Sequence, residues 1–304
     1  MEMTTQKKVI ALGFFDGVHL GHGALLKRTV ALAETLNAVP AAHTFAAHPS
    51  TLVTHQPTPL LSTPEDRAHL MKSLYGIQEV IVAPFDEGMM TMPWETFVTD
   101  YLIGGLHCAG VVVGHDYRFG YKGEGTPARL KELCAQAHVA CEVVEKVTLD
   151  GRTVSSTYIR SLVEAGDMET AARYLAHPHL LRGSVRHGKG LGRKLGFPTV
   201  NIVPAEGILL PAYGVYATKV TLEDGKTYPA ATNVGVRPTV EDEKQVTVEA
   251  FLLDFQGDVY GQTVSLEFYR RLRGERRFDS LEALRQEVMK SAQQTREYFA
   301  GEKT

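Results

Sequence analysis

The stretch Gly13-Phe14-Phe15-Asp16-Gly17-Val18-His19-Leu20-Gly21-His22 decides how the first half of the chain is read. It follows an apolar run at 9–12 and leads into helical spacing over 22–36, so strand, glycine-rich turn and helix succeed one another within a few residues. Such a turn lies at the carboxyl end of a strand, where open α/β sheets hold ligands. Free N–H groups at the helix start, with glycines that add no side-chain bulk, suit a polyphosphate. His19 and His22 suit donation to charge that builds on a phosphate under attack. The same residues also fit two plainer readings, a metal held by histidines three apart and a tight turn without a ligand.

Around this stretch, short apolar runs at 9–12, 39–45, 79–83, 110–114 and 141–147 alternate with helical spacing at 22–36, 64–75, 93–102 and 127–138. Three of these helices begin at or near a proline, where its missing N–H costs nothing. The alternation predicts a doubly wound α/β domain with a mostly parallel sheet. Past residue 176 the texture changes to β-rich runs at 214–222, 246–255 and 263–269, broken by turns such as Glu223-Asp224-Gly225-Lys226. A helical pattern over 280–299 closes the chain, with Leu281, Leu284, Val288 and Phe299 on its apolar side. The expected architecture is an N-terminal doubly wound domain, 1–178, followed by a mainly antiparallel β-barrel domain with a C-terminal helix, 179–304.

A length of 304 residues agrees with two cores rather than one, and a net charge of −3 gives no electrostatic reason to expect nucleic acid. The three cysteines, Cys108, Cys134 and Cys141, lack the paired spacing of a zinc site or a disulfide framework, so a reducing cytoplasm is the expected location. The start has too short an apolar run for a signal peptide, and no run of about twenty apolar residues marks a membrane span.

A second candidate phosphate site is Val154-Ser155-Ser156-Thr157-Tyr158-Ile159-Arg160, three hydroxyls at a helix start with an arginine one turn on, although an ordinary N-cap has the same composition. Together with Thr44-Phe45-Ala46-Ala47-His48-Pro49 and Gly114-His115-Asp116-Tyr117-Arg118-Phe119-Gly120, these motifs resemble the adenylyltransferase half of the prokaryotic bifunctional FAD synthetase family. That half carries G-x-F-D-G-x-H-x-G-H, T-F-x-x-H-P, G-x-D-[FY]-R-F-G and S-S-T-x-I-R in this order. The resemblance implies attack of the FMN phosphate on the α-phosphate of ATP, assisted by Mg²⁺ and giving FAD and pyrophosphate. It assigns His19 and His22 to catalysis on the ATP phosphates. Gly13, Phe15, Asp16, Gly17 and Gly21, with Ser155, Ser156, Thr157 and Arg160, would bind ATP and its phosphates. His48, Pro49, Asp116, Arg118 and Phe119 would contact flavin or the adenine end. A buried Asp116–Arg118 pair that only braces a loop fits the residues equally well. The chain departs from the family at Phe14, usually asparagine, and at Ala46-Ala47, usually Asp-Pro, which bears on flavin contacts.

In the second half, the segment from Gly183 to Arg193 is rich in glycine and base, and Gly188, Gly190, Gly192 and Arg193 suit the wrapping of phosphates. Pro198-Thr199-Val200-Asn201 places a hydroxyl and an amide oxygen two residues apart on an extended chain, facing one way. They suit one hard cation, Mg²⁺, while a proline-led strand start is the plainer reading. Glu249 is a lone carboxylate in an otherwise apolar run and needs a partner or a task, unless it faces outward. These segments, with Asn233-Val234-Gly235-Val236-Arg237-Pro238-Thr239 and Leu272-Arg273-Gly274-Glu275-Arg276-Arg277-Phe278, resemble bacterial riboflavin kinases. That resemblance makes Glu249 the base for the riboflavin 5′-hydroxyl, Thr199 and Asn201 the metal-holding pair, and Arg273 a residue that closes over flavin. Departures here are Val200 for alanine, Phe251 for histidine, and Leu175-Ala176-His177-Pro178-His179 for L-G-R-P-Y. The expected partners are riboflavin, FMN, FAD and ATP, acting on a monomer or weak homo-oligomer without a membrane or nucleic acid.

Overall fold

The computed structural model describes residues 6–54, 58–187, 197–237 and 245–301. The chain forms two compact units, Met1–Ser156 and Thr157–Thr304.

The first unit is built on a five-stranded sheet of β1 (Lys8–Leu12), β2 (Val39–Phe45), β3 (Glu79–Ala83), β4 (Cys108–Gly114) and β5 (Ala140–Val144), ordered β3-β2-β1-β4-β5 and parallel throughout. Central strands of such a sheet are covered on both faces, which is why Val9, Ile10, Ala11 and Leu12 are all buried rather than alternating. Helix α1 (Leu20–Leu36) returns the chain from β1 to β2 and ends on Asn37, whose left-handed backbone donates to Ala33 and Glu34 carbonyls. The short α2 (Pro49–Thr54) follows β2, and α3 (Pro64–Tyr75) starts on a Thr63 cap with Pro64 in its first turn. The chain leaves β1 toward one edge and resumes at β4 toward the other, so the sheet reverses direction between β1 and β4. Their carboxyl ends open a crevice there.

The helix expected at 93–102 is present at 94–105 but changes its winding along the way. After α4 (Glu87–Thr91), a single turn α5 (Trp94–Thr96) passes into a π-helical stretch, Phe97–Gly105, in which the Leu106 N–H donates to the Tyr101 carbonyl five residues back. The wider turn stacks Phe97 on Tyr101, ring centroids 5.5 Å apart. Helix α6 (Pro127–Gln136) precedes β5, and the hairpin β6 (Thr148–Leu149) and β7 (Arg152–Thr153) delivers the chain to α7 (Ser156–Ala165).

In the second unit α7 and α8 (Met168–Leu175) precede six antiparallel strands. These are β8 (His179–Arg186), β9 (Val200–Pro204), β10 (Gly214–Thr221), β11 (Thr227–Arg237), β12 (Gln245–Leu252) and β13 (Thr263–Gly274). They close as β10-β11-β12-β9-β8-β13, with β13 also paired to β10, so no edge remains unpaired. The interior takes alternate residues, among them Tyr216, Val234, Val248, Ala250, Ile202 and Phe268, all fully buried. The Glu223–Lys226 turn folds as read, with Gly225 at φ 81° and the Asp224 carboxylate accepting from the Lys226 N–H at 3.0 Å. Helix α9 (Leu281–Gly301) covers part of the barrel's outer face and buries Ser291, Ala292, Thr295 and Phe299.

Candidate functional site

His19 is the N-cap of α1. Its Nδ1 accepts from the His22 N–H at 3.3 Å, and its carbonyl accepts from Gly23 at 2.9 Å. The imidazoles stack with centroids 3.5 Å apart and planes 11° from parallel. Gly21 permits this, since a Cβ there would stand 3.2 Å from the His19 ring. With Nδ1 acting as acceptor, neutral His19 carries its proton on Nε2. His22 Nδ1 is buried without a hydrogen-bond partner, and its pKa is held well below the ordinary value by burial, then by the charges of His19 and Arg67. Capping and stacking occupy both rings in a way that a shared metal does not require. Among the described residues no group of three or more His, Cys, Asp or Glu could hold a metal ion.

The loop before the helix is held under tension. Phe15 and Val18 adopt positive φ, 57° and 42°, although both are fully buried and Val18 is β-branched. What holds them is visible around Asp16, which the sequence grouped with the ATP-binding residues. Its Oδ1 accepts from the N–H groups of Leu61, 2.9 Å, and Ser62, 3.1 Å, while Ser62 Oγ accepts from the Gly17 N–H at 2.8 Å. Asp16 is therefore a brace between the loop and the segment before α3. Its carbonyl accepts from Ser156 Oγ at 3.0 Å, which ties the second hydroxyl motif to the first loop.

Two cavities open against this loop. One, about 290 Å³, is lined by Gly13, Phe15, His19, Gly21, His22, Asp116, Ser155 and Ser156, so most of the residues expected to hold the nucleotide come together in it. The other, about 730 Å³, is lined by His48, Pro49, Asp116, Arg118 and Phe119 of the expected flavin set, and also by Phe45, Phe85, Met89, Met90 and Phe97. Sequence reasoning missed this aromatic and methionine lining, because its members come from separate segments and each alone reads as core. Gly13, Phe14, Asp116 and Tyr117 line both cavities. Asp116 is 82% exposed, so the buried Asp116–Arg118 brace does not form. Thr157 and Arg160 lie on α7 in the second unit.

In the barrel, Glu249 on β12 sits opposite Asn233 on β11 and Asn201 on β9. Val248, Ala250 and Leu252 take the interior; Glu249 and Phe251 face the other way, but that face is not open water. It forms a cavity of about 290 Å³ with Thr199, Asn233 and Arg273, roofed by Leu284, Val288 and Ser291 of α9. Thr199 also lines a neighbouring cavity of about 260 Å³ with Phe255, Asp258 and Tyr260. Arg273 Nε lies 3.4 Å from Glu287, which also pairs with Arg276, and both guanidinium groups pack on Phe278 at 5.7 and 4.9 Å. Burial lowers the Arg273 pKa, and Glu287 opposes that shift. Gly188, Gly190, Gly192 and Arg193 lie outside the described residues.

Comparison with known proteins follows the same division. Residues 1–158 match the family model described as FAD synthetase, and residues 175–299 the model described as riboflavin kinase. A bifunctional riboflavin kinase/FMN adenylyltransferase from Listeria monocytogenes is 36% identical over 98% of this chain and 95% of its own, and one from Bacillus subtilis is 34% identical over 97% and 93%. A Streptococcus pneumoniae crystal structure titled as a macrolide-efflux protein superposes with a TM-score of 0.86 at 28% identity, covering 96% of this chain and 95% of that one. Its title names a different activity. No helix among the described residues here is long and apolar enough to cross a membrane.

Proposed function

The chain belongs to the bifunctional riboflavin kinase/FMN adenylyltransferase family, and from that premise we propose which of its residues perform each reaction. The observation that carries the proposal is that each half of the chemistry has a pair of adjoining cavities with named residues in the wall between them: Phe14, Asp116 and Tyr117 in the first unit, Thr199 in the second.

In the first unit the α1 cavity holds ATP and the aromatic cavity holds the isoalloxazine of FMN. A phosphate oxygen of FMN attacks the α-phosphorus of ATP; the new P–O bond forms as the bond to pyrophosphate breaks, giving FAD. His19 and His22 donate to the charge that develops on the α-phosphate, and the N–H groups at the start of α1 receive the remaining oxygens. Asp16 acts by holding the loop rather than by touching phosphate.

In the barrel, riboflavin occupies the cavity beneath α9 and ATP the cavity past Thr199. Glu249 accepts the proton of the 5′-hydroxyl as that oxygen attacks the γ-phosphorus and ADP leaves. The hydroxyl of Thr199, in the wall between the two cavities, and the amide oxygen of Asn201, two residues on and across the ladder from Glu249, are hard donors, a set that fits Mg²⁺. When bound there, the ion would neutralise phosphate charge. Arg273 and Phe278 close the flavin end. The two activities are assigned to residues 1–178 and 179–304. Purified protein supplied with riboflavin, ATP and Mg²⁺ should form FMN and then FAD, resolved by chromatography; formation of neither product would overturn this reading.

A further inference from the structure

Arg67, on α3, is the largest of the fully buried side chains among the described residues, at 0% exposure. A buried guanidinium that served packing alone would be replaced at little cost by an apolar side chain of similar volume, so its contacts should reveal its task. Nε donates to the Thr63 carbonyl of its own helix at 3.4 Å, and the charge acts on Asp16 and His22, but the closest contacts meet at Phe14. Nη1 donates to the Phe14 carbonyl at 2.6 Å and to Thr44 Oγ1 at 2.9 Å, and Thr44 Oγ1 in turn donates to the same carbonyl at 2.7 Å. The guanidinium carbon also lies 4.3 Å from the centroid of the Phe14 ring, which meets the His48 ring in a T-shaped contact, centroids 4.6 Å apart. Arg67 thus grips both the backbone and the ring of Phe14, and Nη2 is left without a partner.

Phe14 stands in the lining of both cavities of the first unit, whereas Arg67 lines neither. We propose that Arg67 is a positioning residue for adenylyl transfer: it fixes Phe14 as the wall at which the acceptor phosphate meets the nucleotide. Phe14 is then the residue that sets where the acceptor ends. This rests on the adenylyltransferase reading of the first unit. A fork that donates and stacks at once is specific to arginine; lysine keeps the charge but neither holds the carbonyl in a plane nor covers the ring.

Steady-state FAD synthesis from supplied FMN and ATP tests this, with riboflavin phosphorylation in the same samples as the measure of active protein. Arg67→Met and Phe14→Leu should each raise KM for FMN by about tenfold while KM for ATP moves by less than about threefold, because an orienting contact on one substrate is lost. Since both act through one ring, the double variant should be no worse than the harsher single. Arg67→Lys should retain most of the defect. A purely structural Arg67 would instead lower the active fraction with both KM values unchanged. That result, or multiplying effects in the double variant, or full rescue by lysine, would overturn the proposal. If Arg67→Met does not fold, Phe14→Leu decides alone: an unchanged KM for FMN sinks it. Failure of the wild-type protein to make FAD at all would instead remove the underlying reading.

Discussion

Glu249 on β12 lies directly across the ladder from Asn201 on β9, and from Asn233 on β11 at its other side. This carboxylate, flanked by two amides on the strand face turned from the interior and lining the cavity beneath α9, is the group proposed to take the proton of the 5′-hydroxyl. Glutamine keeps the shape and cannot take the proton. Glu249→Gln should leave FAD synthesis from supplied FMN intact and lower riboflavin phosphorylation by about 10²–10⁴. Wild-type kinase rates in the folded variant would remove Glu249 from the mechanism.

Thr199 borders both barrel cavities, and its neighbour in the proposed cation pair, Asn201, follows two residues on. Thr199→Ala should raise the Mg²⁺ concentration needed for half-maximal riboflavin phosphorylation and leave the Mg²⁺ dependence of adenylyl transfer where it was. A titration of the two activities in one preparation checks this; a parallel rise in both would place the cation elsewhere.

The buried histidines give a pH dependence of stability with a definite sign. His43 on β2 is fully buried, 2.9 Å from the Tyr101 hydroxyl, and burial pushes its pKa down to about 4. His179 in the barrel is likewise lowered to about 4. The unfolded chain takes up each proton below about pH 6.5, the folded chain only near 4, so stability is full above 6.5 and lost as pH falls through that window. Each histidine accounts for about 3 kcal/mol at most. His43→Gln should flatten the acid limb of a urea-unfolding series between pH 7 and pH 4; an unchanged limb would show that His43 is not what the acid acts on.

Much of this was legible before any coordinates, and the reasons differ by residue. Glu249 stood out because a carboxylate in an apolar run is costly, and His19 and His22 because a glycine-rich turn between strand and helix suits a phosphate, although the turn alone left a metal or a bare tight turn open. Strands read from continuous apolar runs held to within a few residues, as did helices opened by Pro64 and Pro127. The π-helical stretch at Phe97–Gly105 was not legible, since one extra residue per turn leaves almost no mark on an apolar pattern. Arg67 was missed for a similar reason: an arginine on a helix reads as surface, and only the tertiary fold brings it behind Phe14. Asp16 was seen within the nucleotide-binding motif, but the motif could not reveal that its Oδ1 would accept from the N–H groups of Leu61 and Ser62.

The division of two reactions between two units is tested most directly by supplying riboflavin, ATP and Mg²⁺ to folded His22→Ala protein and following both products in time. His22 stacks on His19 at the start of α1, in the first unit, and has no place in the barrel cavities. The expected result is FMN accumulating at the wild-type rate while FAD formation falls by about 10²–10³, the loss typical of one donor to transition-state charge. FAD appearing at the wild-type rate, or both products falling together, would contradict the account.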